Sequence, residues 1–515
     1  MFSSVLNPIQ TRIRENPQHL AIVNDEGSYT FAQLGVRVEA IRQALKQHRP
    51  HCVMIYGHKQ LDAAAAMLAC AFEAITFTFV DIANPAARIA HIVAVTQANL
   101  LLLACPPRTA LPPLSIPLCT TASLPDTPSL TQPVRPAPEQ IFYILTTSGS
   151  TGEPKGVKIS YRNYDALASW AIPTLHGQRL GVHVNHACLS FDLGIMDIFL
   201  TLAAGKALVM LDHVNNIRPR KNLSLLTQPA LQIDSWFSTP GFLEVMCSDP
   251  SFNQLTLPYL TCIAIGGEAL LPPLVQTLHQ RFPQATLLHC YGPTEATCMT
   301  HAARVTPDDL PATPPLSLGH TNGHNNAMIV GELGEPLPVG MAGEVVLLGP
   351  QISPGYLPES DQRNRLFSWR QGQRSYHTGD LGYLDAQGNL FVKGRNDGQI
   401  KWMGNRIEIG EIEAAANQLD DVQQAVVVVR KQDNHVTELV LFIHLLSDTR
   451  ERRDSLRRSL AQRLPAYMMP RIIRFTGPFP LTLHGKTDRQ ALMQQCETDV
   501  PPEQGNSTTL YSSPK

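Results

Sequence analysis

Residues 146–157 read TTSGSTGEPKGV, and this stretch decides how the rest of the chain is interpreted. It follows an apolar, strand-like run at 141–145 and combines hydroxyl side chains with three glycines and a lysine. Backbone N–H groups, hydroxyls and a mobile ammonium suit a polyanion, and glycine lets the backbone approach it closely. The stretch therefore predicts a triphosphate-binding loop, whose candidate residues are Thr147, Ser148, Gly149, Ser150, Thr151, Gly152 and Lys155.

This loop differs from a Walker A motif. The pattern GxxxxGK[ST] is absent from it, and residues 157–160 look like a strand, whereas a Walker A loop must open a helix. A polar hairpin loop is the alternative interpretation. Ordinary hairpin loops are shorter, however, and have no use for so many hydroxyl groups.

The bulk composition excludes several classes of protein. A chain of 515 residues is too long for one core and predicts about two to four domains. Its 41 Lys+Arg against 43 Asp+Glu disfavour binding to nucleic acid or to an anionic membrane. The ten cysteines contain no CxxC pair, which predicts neither a zinc site nor a disulfide framework. Reduced thiols, and an amino terminus without a signal-peptide core, indicate the cytoplasm.

Strand-like runs alternate with helix-like segments over most of the first 400 residues, which predicts an α/β fold with largely parallel sheets. The longest apolar stretch, 63–80, contains Glu73 and ends in a β-rich run. It predicts a buried helix followed by a core strand, without membrane insertion. The strand-like runs are 51–55, 75–80, 100–103, 207–211 and 262–265.

The pattern of predicted secondary structure changes towards the carboxyl terminus. Short strands separated by glycine turns in 335–395 predict a β-subdomain. A compact α+β unit follows residue 397, with an amphipathic helix at 451–464. The chain from 491 to 515 is predicted to be a disordered tail, because proline, serine and threonine dominate its end.

Five further motifs follow the loop in a fixed order. Each has a plain alternative when taken singly: YGPTE is compatible with a turn between elements, and TGD with a helix cap or a β-turn. The motifs are GGE at 266–268, YGPTEAT at 291–297, HTGD at 377–380, GRND at 394–397 and PLTLHGKTDR at 480–489.

Taken together, these motifs resemble the adenylate-forming enzymes, which include acyl-CoA synthetases, luciferases and amino-acid adenylation domains. The resemblance covers residues 10–490 and implies a large amino-terminal domain, 1–396, of two parallel-sheet α/β layers plus the β-subdomain. A small, mobile α+β domain would follow at 397–490, with a hinge at Asp397. ATP and Mg²⁺ are the implied cofactors.

The resemblance also implies roles at the nucleotide. Tyr291 would stack on adenine, and Thr294 would bond the α-phosphate. Glu295 would hold Mg²⁺, a hard cation suited to a carboxylate beside phosphate. Asp380 would accept from both ribose hydroxyls, with Arg395 nearby. The remaining residues of the implied ATP site are Gly267, Glu268, His289 and Gly292.

Lys486 would bridge the substrate carboxylate and the α-phosphorus, where a cation offsets the charge of the transition state. The small domain would then rotate, withdraw this lysine and open a path for a thiol. Lys401 and Gly404 lie on the face that this second pose would turn towards the thiol.

The element Ser190-Phe191-Asp192 matches the amino-acid-activating branch of the family, in which the aspartate pairs with the substrate α-ammonium. A buried acid would be costly for an enzyme of fatty or aryl acids, which carry no cation there. A role for Asp192 as a helix cap is the alternative.

By pattern, the closest subfamily is D-alanine–D-alanyl carrier protein ligase. The chain departs from it at Gly266, where that subfamily usually has cysteine, and at His289, where it has asparagine; Cys298 is a further pocket position. Because glycine leaves more room than cysteine, L-proline or another small amino acid is a rival substrate.

Only 29 residues follow Lys486, too few for a helical carrier domain, so we expect the acceptor to be a separate, phosphopantetheinylated carrier protein. We also expect the enzyme to be a monomer. Five arginines between 450 and 458 would dock an acidic carrier or merely form a solvated helix face. Two other functions stay open: an acyl- or aryl-CoA ligase, and an adenylate-binding scaffold without turnover.

Overall fold

The computed structural model describes residues 3–498 apart from 129, 148–154, 178–180, 213–217, 312–314, 396–398, 403–404, 433–434, 446–448 and 481–486. The chain divides into two compact units. The larger comprises residues 1–412 and 460–469, and the smaller comprises 413–459 and the described residues from 470 onward.

Twelve helices are formed by the described residues. They are α1 (Ser3–Glu15), α2 (Phe31–His48), α3 (Leu61–Phe72), α4 (Ala86–Thr96), α5 (Tyr161–His176), α6 (Asp192–Ala203), α7 (Pro219–Leu226), α8 (Pro240–Cys247), α9 (Pro272–Arg281), α10 (Ile409–Asn417), α11 (Arg450–Arg463) and α12 (Arg489–Thr498).

The strands fall into two groups along the chain. The first group is β1 (Leu20–Asn24), β2 (Gly27–Thr30), β3 (Cys52–Gly57), β4 (Thr76–Asp81), β5 (Leu100–Leu103), β6 (Leu118–Thr120), β7 (Ile141–Thr147), β8 (Lys155–Ser160), β9 (Val182–Asn185), β10 (Ala207–Met210), β11 (Ile233–Ser238), β12 (Cys262–Ile265), β13 (Thr286–Tyr291) and β14 (His301–Val305). The second is β15 (Asn326–Val330), β16 (Gly343–Leu348), β17 (Gly355–Leu357), β18 (Phe367–Arg370), β19 (Gln373–Leu384), β20 (Leu390–Arg395), β21 (Gln399–Trp402), β22 (Asn405–Glu408), β23 (Val422–Gln432), β24 (His435–Leu445) and β25 (Ile472–Thr476).

Two large sheets form the core of the larger unit. One has eight strands in the order β14-β13-β12-β11-β9-β10-β1-β2, and the other has seven in the order β17-β8-β7-β4-β3-β5-β6. Neighbours from β13 to β1, and from β7 to β6, run parallel, while the pairs β1–β2, β13–β14, β7–β8 and β8–β17 are antiparallel. The predicted α/β fold with two parallel-sheet layers is thereby confirmed.

The main hydrophobic core lies between these sheets, where α2, α3, α5 and α6 contribute most of the helical side chains. Helix α3 reads LDAAAAMLACAF, and every residue except Asp62 is buried. Small alanine side chains let it pack closely on α2, and Arg37 of α2 pairs with Asp62 at 2.8 Å. The apolar stretch at 63–80 is thus a buried helix followed by a core strand, and none of the described helices is long and apolar enough to cross a bilayer.

A separate antiparallel sheet of five strands, β15 to β20 without β17, carries the predicted β-subdomain. It begins at Asn326, nine residues before the boundary that the glycine pattern predicts. Leucine and valine side chains at the start of the sheet are buried, and this burial sets the boundary more than the glycine turns do.

The smaller unit is built on the sheet β23-β24-β25, against which α12 packs. Leu492 of α12 is fully buried among valine and phenylalanine side chains of that sheet. Residues 491–498 are therefore folded, and the predicted disordered tail does not begin at 491. The sequence did not predict this helix because α12 is short and mostly polar, and one buried leucine gives no recognisable hydrophobic period.

Candidate active site

The site lies at the carboxyl ends of neighbouring parallel strands. The strands β9, β11, β12 and β13 are adjacent in one sheet, and each is followed by a motif residue or a pocket residue. Ligands of α/β sheets bind at this edge, because the loops that leave the strands converge there. The order of the sheet thus brings together segments that the sequence separates by about a hundred residues.

Asp192 begins helix α6 and contacts the motif that follows β13. The hydroxyl of Thr294 donates to Oδ2 of Asp192 at 2.6 Å, and the backbone N–H of Leu193 donates to Oδ1 at 2.8 Å. Burial raises the pKa of Asp192 above its ordinary value. Because the residue before it, Phe191, occupies the N-cap position, the helix-cap interpretation of Asp192 is wrong.

Gly266 and Cys298 are the two further residues that the sequence predicts for the pocket. A Cβ atom added to Gly266 would lie 3.0 Å from the carbonyl oxygen of Cys290 and 3.2 Å from Cε2 of Phe237. Burial, together with the charge of Asp192, raises the pKa of the Cys298 thiol, which keeps it neutral. Glycine is therefore the residue that fits without displacement at 266, and a neutral thiol lies within the electrostatic reach of Asp192.

Glu295 is fully buried and is neutralised by two cations. Its Oε2 accepts from Nη1 of Arg406 at 2.7 Å, and its Oε1 accepts from the Tyr356 hydroxyl at 2.7 Å and lies 3.4 Å from Nζ of Lys155. Burial alone would raise the pKa of Glu295, but Arg406 and Lys155 outweigh burial and hold it well below the usual range. The carboxylate is therefore ionised throughout the physiological range.

The backbone around Glu295 is fixed by a buried glutamine. Nε2 of Gln351 donates to the carbonyl of Met299 at 2.7 Å, and the hydroxyl of Thr297 donates to the carbonyl of Gln351 at 2.6 Å. At Gly292, a Cβ would lie 2.5 Å from Cα of Met299, so only glycine permits this close backbone approach. YGPTE is therefore a turn between elements, as the alternative interpretation predicts, and the hydrogen bonds of Gln351 hold this turn in place.

Tyr291, Asp380 and Arg395 form a connected group. The hydroxyl of Tyr291 donates to Oδ2 of Asp380 at 2.5 Å, and Nη1 of Arg395 donates to Oδ1 at 2.8 Å. Asp380 lies inside strand β19, paired with Arg395 of β20, so TGD is neither a helix cap nor a tight turn. The structure thus brings three of the predicted nucleotide residues into direct contact.

His289 is buried in β13, and its Nδ1 lies 3.0 Å from the carbonyl oxygen of Ser317. Burial lowers its pKa to about 4, so the ring is neutral at pH 7. Because a carbonyl oxygen only accepts, Nδ1 carries the proton and Nε2 is left as an acceptor. The ring therefore offers the same acceptor function as an asparagine carbonyl.

The GGE motif follows β12. Gly267 adopts φ +90°, a conformation that favours glycine, and Glu268 accepts a hydrogen bond from the backbone N–H of Gly241 at 3.2 Å.

Lys155 begins β8, and its Nζ lies 4.2 Å from the centre of the Tyr356 ring. Burial lowers the pKa of Lys155 to about 8. The backbone of Thr147 ends β7.

Several predicted site residues lie outside the described part of the chain. Their predicted roles are neither supported nor opposed by the coordinates. These residues are Ser148, Gly149, Ser150, Thr151, Gly152, Asp397, Gly404 and Lys486.

Arg406, Tyr356 and Gln351 are site residues that the sequence did not reveal. Each contacts a motif from a distant part of the chain; Arg406 is 111 residues from Glu295. A sequence signal exists for Arg406, because it lies in a short hairpin, β21–β22, that also carries Lys401. No pattern pointed to Tyr356 or Gln351.

The chain matches the AMP-binding enzyme family over residues 9–357 and the AMP-binding enzyme C-terminal domain over residues 411–486. It belongs to the AMP-binding enzyme family. The resemblance predicted from the motifs is confirmed, and so is the expectation of an ATP-dependent, AMP-forming ligase.

Relatives within the AMP-binding enzymes extend over nearly the whole chain. The D-alanine–D-alanyl carrier protein ligase of Bacillus anthracis is 33% identical over 95% of this chain and 99% of its own length. The enzyme of that name from Bacillus cereus strain B4264 is also 33% identical, over 95% of this chain and 99% of its own length.

Solved structures of AMP-binding enzymes share the fold. A nonribosomal peptide synthetase protein containing adenylation and PCP domains has a TM-score of 0.82 at 25% identity, over 95% of this chain and 84% of that one. The Vibrio cholerae adenylation domain AlmE, solved with glycyl-adenosine-5′-phosphate, has a TM-score of 0.82 at 22% identity, over 96% and 97%.

We predict that Glu295→Gln destabilises the protein by about 3–5 kcal/mol, because it removes the negative charge that two buried cations face. The pKa of Glu295 is depressed when folded, so its contribution is complete above its ordinary value of 4.5 and is lost as the pH falls. Urea unfolding should therefore show a deficit that is full at pH 7 and smaller below about pH 4.5.

The double variant Glu295→Gln/Arg406→Gln is the matched control. Removing one cation together with the carboxylate should recover part of the lost stability. A double variant as unstable as the sum of the two single variants would show that the pair does not interact.

Proposed function

We propose that this AMP-binding enzyme activates a small amino acid as its aminoacyl-AMP and transfers it to the phosphopantetheine thiol of a carrier protein. The observation that carries the proposal is the Asp192 carboxylate, held 2.6 Å from the hydroxyl of Thr294. An anion in this position, next to the nucleotide motif, suits the α-ammonium of a substrate whose carboxylate must reach the α-phosphate.

The energetics of Asp192 support an amino-acid substrate. Burial raises its pKa, and its closest partners are a hydroxyl and a backbone N–H. A buried carboxylate without a cation is costly, and an ammonium in contact with it removes that cost. A fatty or aryl acid would leave the carboxylate with only the charges of Lys401 and Arg406 to offset its burial.

D-Alanine is the first substrate we propose. The relatives that cover nearly the whole chain carry this amino acid in their names. Glycine at 266 removes bulk that the subfamily usually has there, so L-proline or another small amino acid is the alternative. Two substrates that differ by one methylene are discriminated by only about 1–3 kcal/mol in transition-state binding.

For ATP, we propose that the loop 146–156, including Lys155, closes over the β- and γ-phosphates. Tyr291 stacks on adenine, and Nε2 of His289 accepts from its exocyclic amine, since a neutral ring with Nδ1 bonded to Ser317 leaves that acceptor open. Asp380 binds the ribose hydroxyls, held in place by its two present partners. The remaining residues of the proposed ATP site contribute backbone groups and charged side chains around the nucleotide. They are Gly267, Glu268, Gly292 and Arg395.

The residues present are compatible with Mg²⁺ at Glu295. Magnesium is commonly held by one or two carboxylates together with substrate phosphates. Among the described residues, no cluster of three or more His, Cys, Asp or Glu could hold a metal ion by itself. When bound, the ion would neutralise charge on the phosphates, and Glu295, whose Oε2 now accepts from Arg406, would be the residue that holds it.

We further propose that Lys486 contacts both the substrate carboxylate and the α-phosphate during adenylation. The proposed hinge at Asp397 would let the small carboxyl-terminal domain withdraw Lys486 and bring Lys401 towards the thiol. The relatives' names and the adenylation–PCP structure support a carrier protein as the acceptor. We also propose that the enzyme is a monomer and acts in the cytoplasm, where ATP and reduced thiols are available.

Amino acid-dependent pyrophosphate exchange tests the proposed function. We expect exchange with D-alanine, and weaker exchange with its enantiomer, glycine and L-proline. The same panel should include propionate, a fatty acid and benzoate. Exchange with these acids alone would identify an acyl- or aryl-CoA ligase, and bound nucleotide without any exchange would indicate a scaffold.

Asp192→Asn separates substrate recognition from stability. We expect kcat/KM for the amino acid to fall on the order of 10²–10³-fold, because a buried ion pair with the ammonium is lost. The variant should be no less stable at pH 7, since the raised pKa shows that folding disfavours the ionised form; this advantage disappears as the pH falls towards 3.8. Unchanged kinetics for the amino acid would contradict the role.

Lys486→Ala should slow adenylation on the order of 10²–10³-fold while leaving ATP affinity nearly intact, because the cation acts mainly in the transition state. Single-turnover formation of aminoacyl-AMP measures the chemical step, and equilibrium dialysis measures ATP binding. Arg453→Ala, on an exposed part of α11, is the control and should leave both unchanged. Native rates in Lys486→Ala would rule out the proposed mechanism.

A further inference from the structure

Lys59 is a buried lysine that the proposed mechanism does not use. It lies two residues after β3 and is only 4% exposed. Its Nζ donates to Oδ1 of Asn185 and to the carbonyl oxygen of Ala187. Within the described chain, no carboxylate oxygen lies within ion-pair distance of this ammonium, and burial lowers its pKa to about 8.

Burying an ammonium without a carboxylate is costly, so its hydrogen bonds must offset that cost. Both acceptors belong to the same segment: Asn185 ends strand β9, and Ala187 lies in the loop that leads to Asp192. Lys59 therefore holds the start of the loop that carries the proposed ammonium-binding carboxylate.

The other end of the loop is held through the same asparagine. Nδ2 of Asn185 donates to Oδ2 of Asp197 at 2.7 Å, and Oδ1 of Asp197 lies 3.1 Å from Nε2 of His183. Asp197 lies on helix α6, just over one turn beyond Asp192. The lysine, the strand and the helix are thus joined by one buried polar chain.

Within the loop, little freedom remains. The backbone N–H of Phe191 donates to the carbonyl of Cys188 at 3.1 Å. A side chain at Gly194 would overlap that same carbonyl, so α6 packs directly on the loop backbone. Because both ends are fixed and the middle is tightly packed, a displacement at Asn185 or Ala187 is transmitted to Asp192.

We propose that Lys59 is a positioning residue for substrate selection: by holding residues 185–187, it aims the Asp192 carboxylate at the substrate ammonium. The enzyme would thereby prefer an amino acid to the same acid without its amino group. This inference rests on the proposed function, because it requires an ammonium in contact with Asp192.

Lys206 provides a matched control. It is equally buried, and its Nζ pairs with Oδ2 of Asp234 at 2.6 Å. This pair lies beside the amino ends of β10 and β11, the opposite edge of the sheet from Asn185. Asp234 is joined to Asn185 through three intermediate side chains, Ser235, His183 and Asp197. Lys206→Met therefore removes a buried ammonium at a distance from residues 185–187, and it measures the structural effect of such a change at the far end of the polar chain.

The test compares the binding of two adenylate analogues by calorimetry: D-alanyl sulfamoyl-adenosine and the propanoyl compound, which lacks the amino group. We expect wild type to bind the alanyl analogue more tightly. Lys59→Met should reduce this preference by at least about tenfold, because a small misplacement of a binding group is costly. Lys206→Met should retain the preference, even if its melting temperature falls.

Asn185→Leu is a second variant for the case in which Lys59→Met does not fold. It keeps the lysine but breaks the link from Lys59 to Asp197, so it should reduce the same preference. A folded Lys59→Met or Asn185→Leu protein with the full wild-type preference would overturn the inference. Absence of any preference in wild type would instead contradict the proposed amino-acid substrate.

Discussion

The site depends on a buried carboxylate, that of Glu295, which is neutralised from two sides. Arg406 and Lys155 bring positive charge to its two oxygens, and the Tyr356 hydroxyl supplies a neutral donor. Without those cations a carboxylate could not stay ionised inside the protein. The carboxylate is thereby kept in the charged form, which is the form that its proposed role as a metal ligand requires.

Around that carboxylate, polar groups are buried wherever orientation matters. Gln351 fixes the turn that presents Glu295, and Tyr291 with Arg395 fixes Asp380. These groups have hydrogen-bond partners, which offset the free-energy cost of removing them from water. Asp192 differs, since its raised pKa shows that its charge is disfavoured in the folded protein. In the proposed function, a substrate ammonium would stabilise this charge again on binding, which would link specificity to stability.

Prediction from sequence was accurate where the signal was local. The strand at 100–103 has the predicted bounds, and so does the strand at 262–265, because short apolar runs between turns allow few alternatives. TGD was ambiguous, because glycine and aspartate favour turns in isolation. The long strand β19 accommodates Gly379 at φ +73°, with an irregular register nearby, and thus carries Asp380 inside a sheet. Tertiary pairing with β16 and β20 overrode the local preference.

The sequence by itself determined the order of the strands and helices, the family and the chemical groups available at the site. These are properties of short motifs, whose spacing along the chain can be read directly. Only the tertiary structure decided which charges meet: Arg406 with Glu295 across 111 residues, and Lys59 with Asn185 across 126. Electrostatic pairing depends on distance in space and on burial, and neither quantity is written in the local sequence around a lysine or an arginine.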